Sequence, residues 1–271
     1  MFSGAHTAIQ RALFQESYLA DSLLSGGMTA LRRLSFNNQG RALEGFFCLA
    51  NGVERIAKLI LVSDEFARTG AFPDPGRVRK NFGHDLRRLL LSVEEVAVAR
   101  EISIHDAPSR DGGSLSVVDF LNRFARTERY YNLNRLAQGD GPTIDDPVSR
   151  WVELVKQEAA SRGERRSRTV QERLDLARRI DTNATLAISF NSLAGRHIRT
   201  LEQAALQEDE DEWLSVEGTK LAARPVRFLA RTIGALNNKR GLLPYYSEIF
   251  RDWQLRDSAI RRQRGFPKGR S

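Results

Sequence analysis

Four histidines, His6, His84, His105 and His197, are the natural acid–base groups of this 271-residue chain, and three of them have arginines close by. Arg77 and Arg79 precede His84, Arg100 precedes His105, and Arg196 and Arg199 flank His197. A histidine with a near-neutral pKa can move the proton of a ribose 2′-hydroxyl or of a leaving group, while an arginine steadies phosphate charge. That pairing needs no metal, and no His/Cys/Asp/Glu cluster here has metal-ligand spacing. The chain has no P-loop, no dinucleotide fingerprint and no Gly-x-Ser-x-Gly elbow, so no cofactor is expected. The plain alternative is that His197 is a solvated surface residue and His6 a terminal one.

These groups must be positioned by helices, because a period-two strand pattern is almost absent. Apolar spacing predicts a helix over 4–24, a break at Gly26-Gly27 and a short helix over 29–34. After the Asn37-Asn38-Gln39-Gly40 break, a long helix runs to Thr69, where Gly70, Pro73 and Pro75 end it. The next helix starts at Asp85 and reaches about Ile102. A loop over 105–114 precedes a helix over 116–127, and 128–146 reads as an irregular connection. Helix resumes at Pro147 towards Asp181 with a break near Gly163. Further helices are expected over 185–206 and over 218–236, the latter kinked or restarted at Pro225. The acidic run Glu208–Glu212 between them reads as a solvated helix end or loop.

Arginine outnumbers lysine 36 to 6, with a net charge of +8 and a pI near 10.0. The planar guanidinium fork suits phosphates, so the balance favours a nucleic-acid partner; genome composition and solvated helix faces are the competing explanation. Two stretches concentrate the charge. One, over 161–179, carries Arg165, Arg166, Arg168, Arg173, Arg178 and Arg179. The other runs from Arg251 through Arg256, Arg261, Arg262, Arg264, Lys268 and Arg270, with Trp253 and Phe266 interleaved. Tyr130, Tyr131, Tyr245 and Tyr246 could stack on unpaired bases, although half-buried packing is the commoner role of paired tyrosines. The single cysteine, Cys48, lies in an apolar run and reads as a small hydrophobe in a reducing compartment. No signal peptide and no membrane-length apolar run is evident, so a cytoplasmic protein without membrane contact is expected.

The segment from Glu44 to Glu95 resembles the HEPN superfamily of helical domains. The resemblance rests on Glu54 and Lys58 four apart on a long helix, then a loop, then His84-Asp85-Leu86 opening the next helix. The segment from Glu128, ERYYNLNRL, is similar to the superfamily's frequent Arg-Tyr-Pro step. The similarity covers about residues 5–137. It implies an N-terminal bundle that pairs with a partner or with itself, hence a homodimer through that bundle, in a bacterial toxin–antitoxin or defence setting. Catalytic members cut RNA with an Arg separated by four to six residues from a following His. Arg79 and His84 fit, as do Arg77 with His84 and Arg100 with His105. With arginine at 36 of 271 positions, about one such pair is expected by chance. In the superfamily the pair belongs to a late helix, and the late segment here has Arg129 and Arg135 with no histidine after either. The resemblance therefore implies a non-catalytic member. Local helix chemistry also accounts for Glu54, Lys58 and Asp85 as an i,i+4 ion pair and a helix start.

The expectation is an all-α protein: a HEPN-like helical bundle over 1–140, then a basic helical extension and tail over 141–271. It is expected to bind RNA or a protein partner without chemistry of its own. The alternatives are a metal-independent endoribonuclease using Arg79 and His84, and a structural subunit of a larger complex.

Overall fold

The computed structural model describes residues 8–74, 76, 83–138, 146–164, 171–183, 188–236 and 244–266. The protein is mostly helical, as the sequence pattern predicts. Helix α1 (Ala8–Arg32) and helix α2 (Gly40–Thr69) form an antiparallel hairpin across the 3-10 turn Phe36–Asn38. The predicted break at Gly26-Gly27 does not occur: α1 runs through it. Gly27 serves helix packing rather than chain reversal. A Cβ on Gly27 would lie 2.6 Å from Leu49 Cγ and 2.9 Å from the Leu49 backbone nitrogen, and one on Gly52 would lie 2.9 Å from Leu24 Cδ2 and 3.1 Å from its backbone nitrogen. Two backbones can approach this far only where side chains are missing. Gly70 ends α2 in the left-handed conformation (φ 82°), as its position predicts.

Helix α3 (Leu86–Ala99) is capped by Asp85, whose carboxylate accepts from Arg88 N–H. Helix α4 (Gly112–Arg123) begins four residues before the predicted start, because Asp111 caps it through Gly113 and Ser114 N–H. A π-helical turn, Phe124–Glu128, extends α4. Helix α5 (Tyr131–Gln138) then occupies part of the predicted irregular connection. Helix α6 (Pro147–Ser161) starts at its N1 proline after Asp146 and ends before Gly163 (φ 70°); helix α7 (Gln171–Asn183) follows.

The larger corrections come next. The predicted helix over 185–206 is replaced in part by a two-strand hairpin, β1 (Phe190–Asn191) with β2 (His197–Ile198), antiparallel and turned at Gly195. Helix α8 then runs unbroken from Leu201 to Gly234, taking in both the acidic run and Pro225. Pro225 costs one ladder hydrogen bond. It is tolerated because that part of α8 is buried by neighbouring helices: Leu221, Val226, Phe228 and Leu229 are all in the core.

One apolar core runs from Leu13 to Phe266, across the division the sequence suggests near residue 140. Helix α8 packs on α1, α2, α4, α6 and α7. Phe46 of α2, Phe120 of α4 and Trp151 of α6 form an aromatic cluster with centroids 4.7–5.4 Å apart. The short helices α9 (Tyr246–Ile249) and α10 (Asp257–Arg262) complete the fold. Trp253 and Phe266, interleaved with the basic residues of the tail, are buried anchors. Trp253 Nε1 donates to Asp21 at 2.7 Å, and Phe266 N–H donates to Thr29 Oγ1 at 2.9 Å.

Two stability predictions follow from this packing. Gly27→Ala should lower unfolding free energy by about 1–3 kcal/mol in a urea titration, since Leu49 and its backbone must move. Asp211, 1% exposed on α8, accepts hydrogen bonds from Phe36 N–H and the Gln207 amide. Burial nevertheless pushes its pKa up to about 6. The folded state thus holds a proton that the unfolded chain releases near pH 4. Its contribution is full below that pH and is lost as pH rises through about 6, on the order of 3 kcal/mol in total. Asp211→Asn should flatten this fall relative to wild type in urea titrations from pH 4 to pH 7.5. Parallel pH profiles would contradict it.

Candidate functional site

One face of α2 presents Phe47, Asn51, Glu54, Arg55 and Lys58 at helical spacing, opposite the buried row Phe46, Val53, Ile56 and Ile60. This outward face forms the floor of an open cleft of about 640 Å³. The π turn after α4 supplies Phe124, Ala125 and Arg126, and Arg129 follows it; α1 adds Glu16. His84 enters from the residue before the α3 cap.

Local chemistry holds each of these groups. Leu86 N–H donates to Asn122 Oδ1 at 3.0 Å, tying the α3 start to α4 and setting His84 at the mouth of the cleft. In the π turn, Arg129 N–H reaches back five residues to Phe124 O at 3.0 Å. Such a turn inserts one residue into the helical register, and such inserts are frequent at functional sites. Here it is pinned by Glu128, buried, whose Oε1 takes both Arg123 and Arg150.

Glu54 organises the ionic part of the cleft. Its Oε1 accepts from Lys58 Nζ at 2.6 Å and lies 2.8 Å from His84 Nδ1. With Nδ1–H donating to the carboxylate, Nε2 carries the ring's lone pair, in the manner of a carboxylate-oriented general base. His84 is 82% exposed at its side chain, so any substrate reaches it freely. Arg55 is paired with Glu16 at 2.7 Å. Arg126 stands 3.5 Å from Asp85, and Arg129 lies over the Tyr130 ring at 5.1 Å. Four cationic side chains thus line the cleft against two carboxylates. The two on the π side are the least neutralised.

Among the residues singled out from sequence, Glu54, Lys58, His84 and Asp85 are brought together. Arg79, its partner in the Arg/His pairing, and Arg77 lie outside the described residues, as do Arg165, Arg166 and Arg168. Arg100, matched in the sequence with His105, pairs instead with Asp64 at 2.7 Å. His105 stands apart from the cleft, 3.0 Å from Asp106. The sequence reading missed Arg126, Phe47 and Asn51. A search for polar residues on the α2 face carrying Glu54 and Lys58 would have found Asn51; the π register that aims Arg126 leaves no sequence signal.

The two basic stretches behave differently from a free binding face. Arg173 and Arg178 of α7 pair with Glu208 and Glu202 of α8, and Asp181 accepts both Leu201 and Glu202 N–H at 3.0 Å, capping α8. Lys156 and Arg196 pair with Glu210 at 2.8 and 3.0 Å. The acidic run is therefore a paired surface rather than a solvated one. In the tail, Arg261, Arg262 and Arg264 are exposed, with Arg264 3.4 Å from Glu212; Lys268 and Arg270 lie outside the described residues. Of the tyrosines, Tyr130 and Tyr245 are exposed, whereas Tyr246 is buried and shares a hydrogen bond with Ser63.

Among the described residues no group of three or more His, Cys, Asp or Glu could hold a metal ion, and no helix is long and apolar enough to cross a membrane. No family model, no curated protein and no solved structure matches this chain.

Among the residues of α7 whose burial is described, Ala177 alone is buried, so charge pairs and the Asp181 cap hold that helix in place. Raising salt from about 0.05 to about 0.5 M shortens the Debye length below about 5 Å and should speed amide exchange over 171–183 several-fold. The amides of α8 over 219–233 should not change. Equal protection at both salts would show that α7 is held by packing.

Proposed function

We propose that this protein is an RNA-binding protein of HEPN-like character that engages RNA phosphates in the α2–α3–π cleft without cleaving it. Arg126 and Arg129 carry the reading: both line the open cleft, Arg129 over the Tyr130 ring and Arg126 in one long, exposed contact with Asp85 at 3.5 Å, while Arg173 and Arg178 of α7 make closer pairs with α8. Phosphate contacts of this kind are salt-dependent and largely indifferent to sequence. The exposed Arg261, Arg262 and Arg264 extend the same basic character to the tail. A cytoplasmic, bacterial, defence-related setting accords with the resemblance over residues 5–137.

The His84–Glu54 contact favours a second reading, metal-independent RNA cleavage. There, His84 Nε2 takes the 2′-hydroxyl proton, the 2′-oxygen attacks the adjacent phosphorus, and the 5′-oxygen leaves, taking its proton from solvent water. The products are a 2′,3′-cyclic phosphate and a 5′-hydroxyl. Lys58 and Arg126 line the same cleft and would steady the charge that builds on the phosphorane.

Fluorescence anisotropy with labelled RNA, followed by denaturing electrophoresis of the same samples, separates these readings. Wild type should bind at low salt and return the RNA intact. Arg126→Ala with Arg129→Ala should weaken binding about tenfold and make the salt dependence shallower by roughly one to one and a half in log–log slope. No binding at low salt would overturn the proposal and leave a protein partner as the occupant. Cleavage by wild type that is lost in folded His84→Ala would establish the second reading instead.

A further inference from the structure

Phe47 is out of place for a packing residue. It is 50% exposed and lines the cleft, on the same α2 face as Glu54 and Lys58, whereas its neighbour Phe46 is fully buried in the aromatic cluster. A single exposed aromatic on a convex surface is unremarkable, but this one stands in a concave, cationic site. Seven residues of helix, about 10 Å, separate it from Glu54. A base and a phosphate of one strand can therefore be held at separate points of the cleft. Asn51, one turn along, donates from Nδ2 to Phe47 O at 2.7 Å and fills the space between them with a polar side chain. Phe124, Ala125 and Arg126 of the π turn line the same cleft.

We infer that Phe47 is a stacking platform for an unpaired nucleobase, so that the cleft selects single-stranded over double-stranded RNA. The inference rests on the RNA-binding reading above and names the residue that sets strand selectivity within it. Every base offers a π face to an aromatic ring, whereas bases in a duplex are already stacked on their neighbours. The arginines supply charge to either form of RNA. Phe47 adds affinity for only one of them.

The test uses the full chain and two labelled RNAs, a single-stranded 12-mer and the corresponding blunt duplex, with 2-aminopurine as one base of the single strand. Wild type should prefer the single strand and quench 2-aminopurine fluorescence on binding. Phe47→Ala and Phe47→Leu should weaken single-strand binding about tenfold, abolish the quenching and leave duplex binding unchanged. Phe47→Trp should restore both affinity and quenching. Leu91→Ala, which removes an equally exposed apolar side chain outside the cleft, should behave as wild type. Circular dichroism confirms that each variant is folded. Equal binding of single strand and duplex by wild type, or undiminished quenching in Phe47→Ala, would overturn the inference. If Arg126→Ala with Arg129→Ala loses RNA while Phe47→Ala does not, the cleft binds phosphate and Phe47 plays no part. If wild type binds neither RNA, the RNA-binding reading itself falls.

Discussion

The close approach of α1 and α2 at Gly27 and Gly52 sets the rotation of α2, and the rest of the molecule depends on that rotation. With Leu24 seated on Gly52 and Leu49 on Gly27, the rows holding Phe46, Val53, Ile56 and Ile60 face the core. The Phe47, Glu54 and Lys58 row is then forced outward. A turn of the helix by one residue would bury charge and expose the aromatic cluster. The ionic floor of the cleft thus follows from a steric condition on the opposite side of the helix.

Features that depend on neighbours in the chain were legible in the sequence, and those that depend on neighbours in space were not. The Glu54–Lys58 pair, the helix start at Asp85, the Pro147 start and the Gly70 stop all act within one helical turn, so residue types and spacing sufficed. Gly26-Gly27 was misread because a glycine pair that allows a close helix contact looks the same as one that reverses the chain. Helix α8 was divided for a related reason. An acidic run and a proline each argue for a break, and each is overridden by partners from distant segments, Arg173, Lys156 and Arg196 for the acids and the surrounding core for Pro225. The π turn that presents Arg126 depends on Glu128 meeting Arg150 of another helix.

The charge balance gains meaning when it is followed residue by residue. Much of the arginine content is consumed in joining segments: Arg32 to Glu212, Arg224 to Asp111, and Arg227 and Arg231 to Asp106. Arg32 is buried and also donates to Ser215, so it acts as a core tie. Composition counts these groups with those that remain open to a ligand, although pairing removes most of their field at a distance. The open cations of the cleft are a small fraction of the total.

The clasp between the last segments and the first helix bears on how the chain can be made. Phe266 N–H bonds Thr29 across 237 positions, Trp253 bonds Asp21 across 232, and Arg32 reaches the Arg261 carbonyl across 229. Helix α1 leaves the ribosome before the segment that covers it, and at roughly 5–20 residues per second part of its surface waits many seconds. Until then that surface is open to water, to chaperones and to other nascent chains. The α1–α2 hairpin is able to form early from local contacts alone, whereas the completed molecule is a late, ribosome-distal event.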